Sequence, residues 1–252
     1  MIDKVSKEIE MSGFVEGYPY KYEVHMHTVE SSACGRTKAK DYITAFLEQG
    51  YDGMIITDHF FYGNTAVDRT LPWEDFVEEF CKGYELAKEE GDGQGLKVFF
   101  GWEANYQGTE FLINGLSKEW LLAHPEIVDC TIPEQFELVH AAGGMVVHCH
   151  PFREEPYIPE VRLFPEYTDA VETVNATHSS KYSMAHNNPE FDVKAREYAE
   201  KYNFPQTAGS DIHRTDVLCG GIAFSRKLSD SSDYIRAVMG REKYVLLTGN
   251  ED

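Results

Sequence analysis

Short apolar runs that alternate with helical segments constrain the fold of this chain more than any other feature. Tyr20–His27 has the pattern of a strand, and Lys38–Gln49 follows it with apolar side chains at helical spacing. The later strand-like runs are Gly53–Thr57, Lys97–Gly101, Glu110–Gly115, Met145–Cys149, Ala170–Asn175 and Gln206–Gly209. A strand-then-helix repeat with about seven strands predicts an α/β fold, a distorted seven-stranded parallel barrel of the TIM type.

The helices between these strands are indicated by their terminal residues. Pro72 opens one helix, and Thr131 and Glu134 have capping-box spacing at the start of another. A helix near Tyr234–Met239 and the segment Tyr244–Leu247 come last. A doubly wound open sheet is the alternative, but no glycine-rich nucleotide motif follows the first strand, so the barrel is favoured.

The composition is that of a folded and strongly acidic protein. A length of 252 residues with 42% hydrophobic residues permits a well-buried core, and we expect residues 1–252 to form a single domain. The formal net charge of −20 argues against general binding of nucleic acid or anionic membranes, because phosphate groups would be repelled. A small phosphorylated substrate held by metal ions in a pocket stays compatible with this charge.

The sequence also bears on cellular location. No run of about 18 apolar residues predicts a transmembrane helix, and Met1–Glu10 lacks the apolar centre of a signal peptide. The five cysteines show no CxxC spacing, which disfavours a disulfide framework or a zinc knuckle. We therefore expect a cytoplasmic protein without a membrane partner, and the oligomeric state stays open.

Histidines and acidic residues gather at the carboxyl ends of the predicted strands. They are His25, His27, Asp58, His59, Glu103, His148, His150, Glu172, Asp211 and His213. In parallel barrels this rim carries ligands and catalytic groups. Alternate residues of a strand point to one side, so His25 and His27 can reach one ion. The same parity is expected for His148 with His150, and these patterns together predict a metal site.

Each pattern also has an ordinary structural explanation when it is taken alone. A His-x-His pair can be two polar residues of a strand, a buried Asp-His pair can be structural, and Glu103 can pair with an arginine. Accepting all of these explanations requires many costly buried polar groups to cluster without a ligand, so metal binding is favoured.

Five motifs in order resemble those of the PHP (polymerase and histidinol phosphatase) family. The motifs are VHMHT, ITDH, GWEAN, VVHCHPF and GSDIH, and they extend from about Glu23 to Arg214. The resemblance implies a distorted seven-stranded α/β barrel with a cluster of two or three divalent metal ions. It also implies hydrolysis of phosphoester bonds.

The resemblance implies roles for individual residues as well. The metal ligands it implies are His25, His27, His59, Glu103, His150, Asp211 and His213. Glu103 matches the carboxylate that bridges two ions, whereas His148 stands where relatives have an apolar residue and is at most a supporting or substrate contact. Relatives often carry one more ligand after the first motif and a histidine in the fourth strand. Ser32 and Ala33, and Leu112, occupy those places here, so two and three ions both stay possible.

The chemistry of such a site suggests further roles. Two ions bridged by Glu103 would lower the pKa of a shared water and supply hydroxide to a phosphoryl group. Imidazole and carboxylate ligands suit zinc, manganese or iron. Asp58 is the candidate catalytic residue, because it can orient His59 or handle a proton. The candidate phosphate-binding residues, all just past strand ends, are Arg36, Arg153 and Arg214.

The function favoured by the sequence is metal-dependent hydrolysis of a small phosphorylated metabolite, and no nucleic-acid partner is expected. Phosphomonoesters come first, because HPFR and the loop arginines suggest a terminal phosphate. An amidohydrolase-like enzyme for C–N or ester bonds is one alternative, but such sites usually bridge their metals with a modified lysine, and none falls at a suitable strand end. A non-catalytic module stabilised by metal is the other alternative.

Overall fold

The computed structural model of the chain describes residues 15–183, 186–215 and 220–250. The strands in these residues are β1 (Tyr20–Glu23), β2 (Tyr51–Ile56), β3 (Lys97–Tyr106), β4 (Thr109–Asn114), β5 (Met145–His148), β6 (Ala170–Asn175), β7 (Gln206–Gly209), β8 (Gly221–Phe224) and β9 (Tyr244–Leu247). The helices are α1 (Asp41–Glu48), α2 (Trp73–Gln94), α3 (Lys118–Ala123), α4 (Ile132–Ala141), α5 (Ala176–Ser179), α6 (Glu190–Tyr202) and α7 (Ser231–Met239). Strands and helices alternate along much of the chain, which confirms the predicted α/β class.

The strands of the described residues form one nine-stranded sheet in the order β7-β6-β5-β4-β3-β2-β1-β8-β9. β1, β2 and β3 are parallel to one another, and so are β5, β6 and β7. Just beyond β1 and β7, the His27 amide donates to the Ile212 carbonyl at 2.9 Å and the Asp211 amide donates to the His25 carbonyl at 2.8 Å. These two bonds connect the ends of the first and seventh strands, so the sheet is a nearly closed barrel.

The expectation of seven parallel strands was wrong in strand number and direction. β4 runs antiparallel to both β3 and β5, and β8 runs antiparallel to β1 and β9. Gln107 and Gly108, with φ of 56° and 87°, form the turn between β3 and β4. A two-residue turn can join only antiparallel strands. The reversal places the first residues of β4, rather than its last, at the rim that carries the ends of the parallel strands.

The helix ends follow the capping signals of the sequence. The predicted capping box is confirmed, since Thr131 and Glu134 bond reciprocally at the start of α4. α2 begins directly after Pro72 and ends directly before Gly95, whose φ of 89° is the left-handed conformation that glycine adopts readily. None of the described helices combines the length and the apolar character that crossing a bilayer requires.

Aromatic side chains fill the layer between α2 and the sheet. Phe76 and Phe80 of α2 pack with Trp102 of β3 and with Phe60, which directly follows the second metal motif. Tyr62, two residues later, has 58% of its surface exposed. This aromatic cluster therefore anchors the chain directly after the segment that carries the second motif.

Candidate metal centre

The seven residues predicted as metal ligands lie together at one rim of the barrel. Their places are the segment after β1 (His25 and His27), the segment after β2 (His59), β3 (Glu103), the segment after β5 (His150) and the segment after β7 (Asp211 and His213). Every one of them belongs to a group of three residues whose ligand atoms all lie within 4.8 Å of one another. The fold therefore brings imidazoles and carboxylates from five parts of the chain into a single cluster.

Glu103 occupies the middle of this centre. Its Oε1 lies 2.9 Å from His150 Nε2 and 3.4 Å from His25 Nε2. Its Oε2 lies 2.5 Å from His59 Nδ1 and 3.7 Å from His27 Nε2. Because each oxygen faces a different pair of imidazoles, one carboxylate can reach two neighbouring ion positions.

Glu172 of β6 orients His25 from the side opposite the centre. The His25 Nδ1 donates to Glu172 Oε1 at 2.8 Å, and Nε2 faces Glu103 and Asp211. Burial alone would lower the pKa of His25, but these three carboxylates raise it well above its usual value, so a cation that binds Nε2 displaces a proton. The second oxygen of Glu172 accepts from the His150 amide at 3.1 Å and from Asn175 Nδ2 at 3.0 Å. Glu172 therefore fixes both the tautomer of one proposed ligand and the backbone of another.

Asp58, the predicted catalytic residue, faces the loop that follows β1. Its carboxylate accepts from the Thr28 amide, the Thr28 hydroxyl and the Ser32 hydroxyl, each at 2.6 Å. The Ser32 oxygen in turn accepts from the His59 amide at 3.0 Å and lies 3.3 Å from His27 Nδ1. Because the Ser32 proton is directed at Asp58, its oxygen accepts from His27 Nδ1, and His27 Nε2 is left for a cation.

Asp211 divides its carboxylate between the centre and an arginine. Oδ1 lies 3.1 Å from His27 Nε2 and 3.6 Å from His25 Nε2, whereas Oδ2 accepts from Arg153 Nη2 at 2.6 Å. The φ of Asp211 is 55°, a conformation that residues other than glycine rarely adopt. Such backbone strain persists where the surrounding structure holds a functional side chain in place.

Burial and neighbouring charge set the protonation of the centre. Burial alone would raise the pKa of Glu103, but the surrounding imidazoles, His59 first among them, hold it well below its usual value. Burial would also raise the pKa of Asp211, and Arg153 holds it well below the ordinary range. Burial and the adjacent imidazoles lower the pKa of His27. Charged carboxylates beside a neutral imidazole are suited to binding cations.

Three buried polar atoms of the cluster, His25 Nε2, His59 Nδ1 and Glu103 Oε2, make no hydrogen bond of normal geometry, although the last two lie 2.5 Å apart. A buried polar group without a partner is costly, and here all three unpaired atoms belong to residues of one cluster. Each can give a lone pair to a cation. The mixed imidazole and carboxylate set suits zinc, manganese or iron, so the residues present fit a divalent-metal centre.

His148 and His150 do not share a side, and the parity expected for this pair was wrong. β5 ends at His148, whose ring packs against Phe111 with 4.7 Å between ring centroids. His150 has a φ of 29°, so the strand alternation stops before it and its ring turns towards Glu103. Cys149 takes the inward position, with its Sγ 3.5 Å from Glu103 Oε1.

Glu110 was missed as a member of the centre. Its Oε2 lies 3.8 Å from His150 Nε2, and it forms a group of possible ligands with His59 and Glu103. Burial raises the pKa of Glu110 to about 7, and the charge of Glu103 adds to the rise. The available signal was the two-residue spacing at Gln107–Gly108, which indicates a hairpin and hence a reversed fourth strand.

Cys34 was missed as well. It follows Ser32 and Ala33, the two positions at which a ligand was sought, and it lines the same cavity as His59 and His213. Burial would raise the pKa of this thiol, but hydrogen bonds to the two imidazoles lower it to about 6. Loop conformation decides which residue of this stretch faces the centre, and the sequence pattern carries no signal for it.

The three arginines predicted to bind phosphate are placed differently. Arg153 is buried and lines the cavity above the centre. Arg36 is exposed, and its Nη1 donates at 2.8 Å to the Gly35 carbonyl of its own loop. Arg214 is exposed directly after His213. Phosphate binding by Arg36 and Arg214 stays a prediction, whereas Arg153 has a defined place beside the cluster.

A cavity of about 810 Å³ opens above the centre. Its lining includes His59, Glu110, Asp211 and His213 of the cluster, and also Arg153, Tyr62, Asn105, Tyr157 and His186. Among the described residues that line it, Arg153 is the one permanently charged cation. The volume lies within the range of small-molecule sites, so the cavity can admit a metabolite next to the cluster.

Replacing Glu172 by glutamine is expected to weaken metal binding by about 10- to 100-fold, because the negative charge that supports His25 is lost. Competition with a chromophoric chelator measures this change. Glu134→Gln is the matched control, since Glu134 bonds only within the exposed capping box of α4. Equal affinity in the Glu172→Gln variant and the unaltered chain would show that Glu172 plays no part in metal binding.

Gly209→Ala is expected to disrupt the centre through packing alone. An added Cβ would lie 2.4 Å from His25 Cβ and 2.7 Å from Glu172 Oε1, so both side chains must move. We expect a loss of stability of about 1–3 kcal/mol together with weaker metal binding. Gly93→Ala in α2 meets no atom within 4 Å and is the control, with stability raised by up to about 1 kcal/mol. Thermal unfolding with and without metal measures the stability and the metal binding of both variants. Undiminished metal binding in Gly209→Ala would contradict this account.

Comparison with known proteins identifies the family. Residues 23–208 match the PHP domain, which is most of the chain. The chain therefore belongs to the PHP domain family, as its five motifs predicted. No match was found among curated proteins.

Solved structures of similar fold include a two-domain protein from Bacteroides vulgatus that contains a predicted PHP-like metal-dependent phosphoesterase. Its TM-score is 0.63 at 16% identity, and the alignment covers 92% of this chain and 66% of that protein. A candidate metal-dependent phosphoesterase from Bifidobacterium adolescentis has a TM-score of 0.52 at 15% identity, with 88% and 96% covered. PsfC from Pseudomonas syringae has a TM-score of 0.55 at 19% identity, with 86% and 87% covered. Similarity at these identities establishes the fold.

Proposed function

We propose that this chain is a metal-dependent phosphoesterase that hydrolyses a small phosphorylated metabolite, with phosphomonoesters preferred. The observation that carries the proposal is the position of Glu103, whose two oxygens face two different pairs of imidazoles. Membership of the PHP family and similarity to proteins described as metal-dependent phosphoesterases support it. We propose two or three ions of zinc, manganese or iron as the cofactor.

Divalent ions bound at this centre would lower the pKa of a water and neutralise charge on phosphoryl oxygens. The residues that would hold them are the seven predicted ligands together with Glu110. Glu172 and Ser32 keep the Nδ1 atoms of His25 and His27 occupied, so that both rings present Nε2. Asp58 accepts hydrogen bonds from Thr28 and Ser32 in the loop that follows β1. Its proposed role is to hold this loop against the two rings rather than to contact the substrate.

Arg153 is the side chain best placed to bind the phosphate of a substrate. Among the described residues, it donates from Nε to His178 and from Nη2 to Asp211 and Thr177. The N–H groups of Nη1 are left for a phosphate oxygen in the cavity. His178 is held in turn by Asp192, whose Oδ1 accepts from His178 Nδ1 at 2.7 Å. The guanidinium is thus fixed in advance of substrate binding.

The cavity and the charge of the chain favour a small substrate. A volume of about 810 Å³ suits a metabolite, and the net charge of −20 disfavours a nucleic acid. Arg153 is the one permanently charged cation among the described residues that line the cavity. One guanidinium suits a substrate with a single phosphate group better than a chain of phosphate groups. A terminal phosphate can also approach the cluster with three free oxygens, which favours a monoester.

A panel of aryl phosphates tests the proposal. The purified chain is assayed with p-nitrophenyl phosphate and with bis(p-nitrophenyl) phosphate, with manganese, zinc or ferrous iron added. We expect metal-dependent release of p-nitrophenol, faster from the monoester, and loss of this activity in the double variant His25→Ala with His27→Ala. No turnover with any metal, or turnover that the double variant retains, would overturn the proposal.

The amidohydrolase alternative gains no support from the geometry. That class of site usually has a modified lysine between its metals, and no lysine lines the cavity in the described part of the chain. The carboxylate of Glu103 occupies the central position instead. Metal content and activity measured in the same preparation separate the enzyme from a non-catalytic module that binds metal for stability.

A further inference from the structure

We propose that His186 is a catalytic residue that donates a proton to the leaving-group oxygen of the substrate, with Glu155 as its supporting carboxylate. This inference rests on the proposed function, because it concerns the alcohol that a phosphoester releases on hydrolysis. Neither residue belongs to the five motifs or to the groups of possible metal ligands in the described part of the chain. The proposal therefore assigns the protonation of the departing oxygen to residues outside the metal centre.

His186 and Glu155 form a hydrogen-bonded pair at the wall of the cavity. His186 Nδ1 lies 2.5 Å from Glu155 Oε1, and since a carboxylate oxygen accepts, the ring nitrogen is the donor. His186 lines the same cavity as Arg153 and Asp211. Nδ1 is occupied, and none of the described residues bonds to Nε2. Nε2 is therefore the ring atom that is left for a molecule in the cavity.

The loop that supplies Glu155 also supplies the proposed phosphate contact. Glu155 follows Arg153 by two residues in the segment after β5. The Arg153 amide donates to the His150 carbonyl at 3.0 Å, and the Ile158 amide donates to the Glu155 carbonyl at 2.9 Å, so two turns shape this segment. Its far end packs on the turn between β3 and β4, where a Cβ added to Gly108 would lie 3.2 Å from Ile158 Cα. These contacts hold Glu155 in place beside the phosphate position.

The backbone of His186 is held in an uncommon conformation. Its φ is 53°, in the left-handed region that residues other than glycine rarely adopt. The next residue, Asn187, donates from Nδ2 to the Ser180 carbonyl at 3.3 Å, directly after α5. A partly exposed ion pair adds little to the stability of a protein, so the pair with Glu155 alone does not account for this conformation. Such strain collects at side chains that are held for function.

The protonated ring can complete the hydrolysis of an ester whose alcohol is a poor leaving group. An imidazolium has an N–H on each nitrogen, so His186 can donate Nε2–H while Nδ1–H stays on Glu155. A water oxygen bonds to phosphorus, the bond from phosphorus to the ester oxygen breaks, and its electron pair takes the Nε2 proton. The alcohol leaves uncharged, and the neutral imidazole regains a proton from solvent. Proton transfer by a placed histidine contributes about 100- to 10,000-fold to a rate.

The dependence of the rate on the leaving group tests the proposal. p-Nitrophenolate is a stable anion that departs without a proton, whereas an alkoxide is not. His186→Asn is the test variant, because asparagine adopts the left-handed conformation readily and its amide is not an acid. We expect the ratio of kcat/KM for p-nitrophenyl phosphate to kcat/KM for 2-phenylethyl phosphate to rise about 100-fold in His186→Asn, with most of the change in the alkyl ester.

Three further variants separate proton donation from packing. His140→Asn is the matched control, since His140 pairs with Asp169 and is not among the described residues that line the cavity, and its ratio should stay unchanged. Glu155→Gln should raise the ratio less than His186→Asn does, because the ring is kept and its supporting charge is lost. His186→Gly suits a φ of 53°, and added imidazole should restore hydrolysis of the alkyl ester in this variant.

The outcomes distinguish this inference from the proposed function. An equal loss for both esters in His186→Asn would overturn proton donation, because a structural fault slows both alike. The same ratio in His186→Asn and in the unaltered chain, with p-nitrophenyl phosphate hydrolysed by both, refutes this inference alone. No hydrolysis of either ester by the unaltered chain with any metal refutes the proposed function as well.

Discussion

Replacing Glu103 by glutamine is expected to lower kcat for an aryl phosphate by about 10³-fold or more and to remove bound metal. An amide cannot provide two anionic oxygens to two ions, and the metal contribution to such reactions is several kcal/mol, where each 1.4 kcal/mol is about tenfold in rate. Glu103 is buried, with His25, His27, His59 and His150 around its two oxygens. The measurement is steady-state kinetics together with elemental analysis of the same protein.

Asp169→Asn is the matched control for this loss of a buried carboxylate. Asp169 bonds to His140 and to the Val146 amide, and it is not among the groups of possible ligands. We expect the control to lose some stability yet keep its metal and its kcat, and circular dichroism establishes that both variants fold. Unchanged activity in Glu103→Gln, or an equal loss of metal in the control, is incompatible with the proposed centre.

Arg153→Ala is expected to reduce kcat/KM by about 100-fold or more, with part of the loss in KM. The variant removes the proposed phosphate contact and leaves the buried Asp211 carboxylate without its partner, a change that costs about 2–5 kcal/mol in comparable charge pairs. Arg153→Lys should not restore the activity, because an ammonium cannot reach His178 and Asp211 while it also binds a phosphate oxygen. Steady-state kinetics with p-nitrophenyl phosphate measure kcat/KM of both variants, and inhibition by inorganic phosphate measures their phosphate binding.

Arg226→Ala is the control for removing an arginine that pairs with carboxylates. Arg226 bonds to Asp233 at 2.7 Å and to Glu242 at 2.8 Å on the outside of the fold. We expect this variant to keep its kcat/KM and its inhibition by phosphate. If Arg153→Ala retains normal inhibition by phosphate, Arg153 is not a phosphate contact and acts only through Asp211.

The sequence predicts elements of the fold well where local patterns decide them. β6 and β7 were predicted with the bounds that the structure shows, because each is a short run whose residues are almost all buried. β8 was not predicted, since its four residues form a strand through pairing with Tyr20–Tyr22, far away in the chain, and with β9. β1 ends at Glu23 rather than at His27. The residues from His25 to His27 form hydrogen bonds with the segment that follows β7 instead of continuing the strand.

The same distinction holds for the candidate site. Ligands that follow parallel strands were found from sequence, because the fold class places all those strand ends at one rim. Glu110 was missed because strand direction decides which end of β4 reaches that rim. Cys34 was missed because a loop supplies it, and His148 was misplaced because the φ of His150 breaks the alternation after β5. The periodicity of the sequence does not predict turn geometry or the folding of loops.

The most direct test of the account is one titration that measures activity as a function of the number of metal ions per chain. The chain is stripped of metal, its fold is checked by circular dichroism, and p-nitrophenyl phosphate hydrolysis is followed as manganese or zinc is added. We predict no hydrolysis without metal and a rise that saturates at about two or three ions per chain. Hydrolysis by the stripped chain, or no hydrolysis at any amount of either metal, would contradict the claim that these imidazoles and carboxylates form a catalytic metal centre.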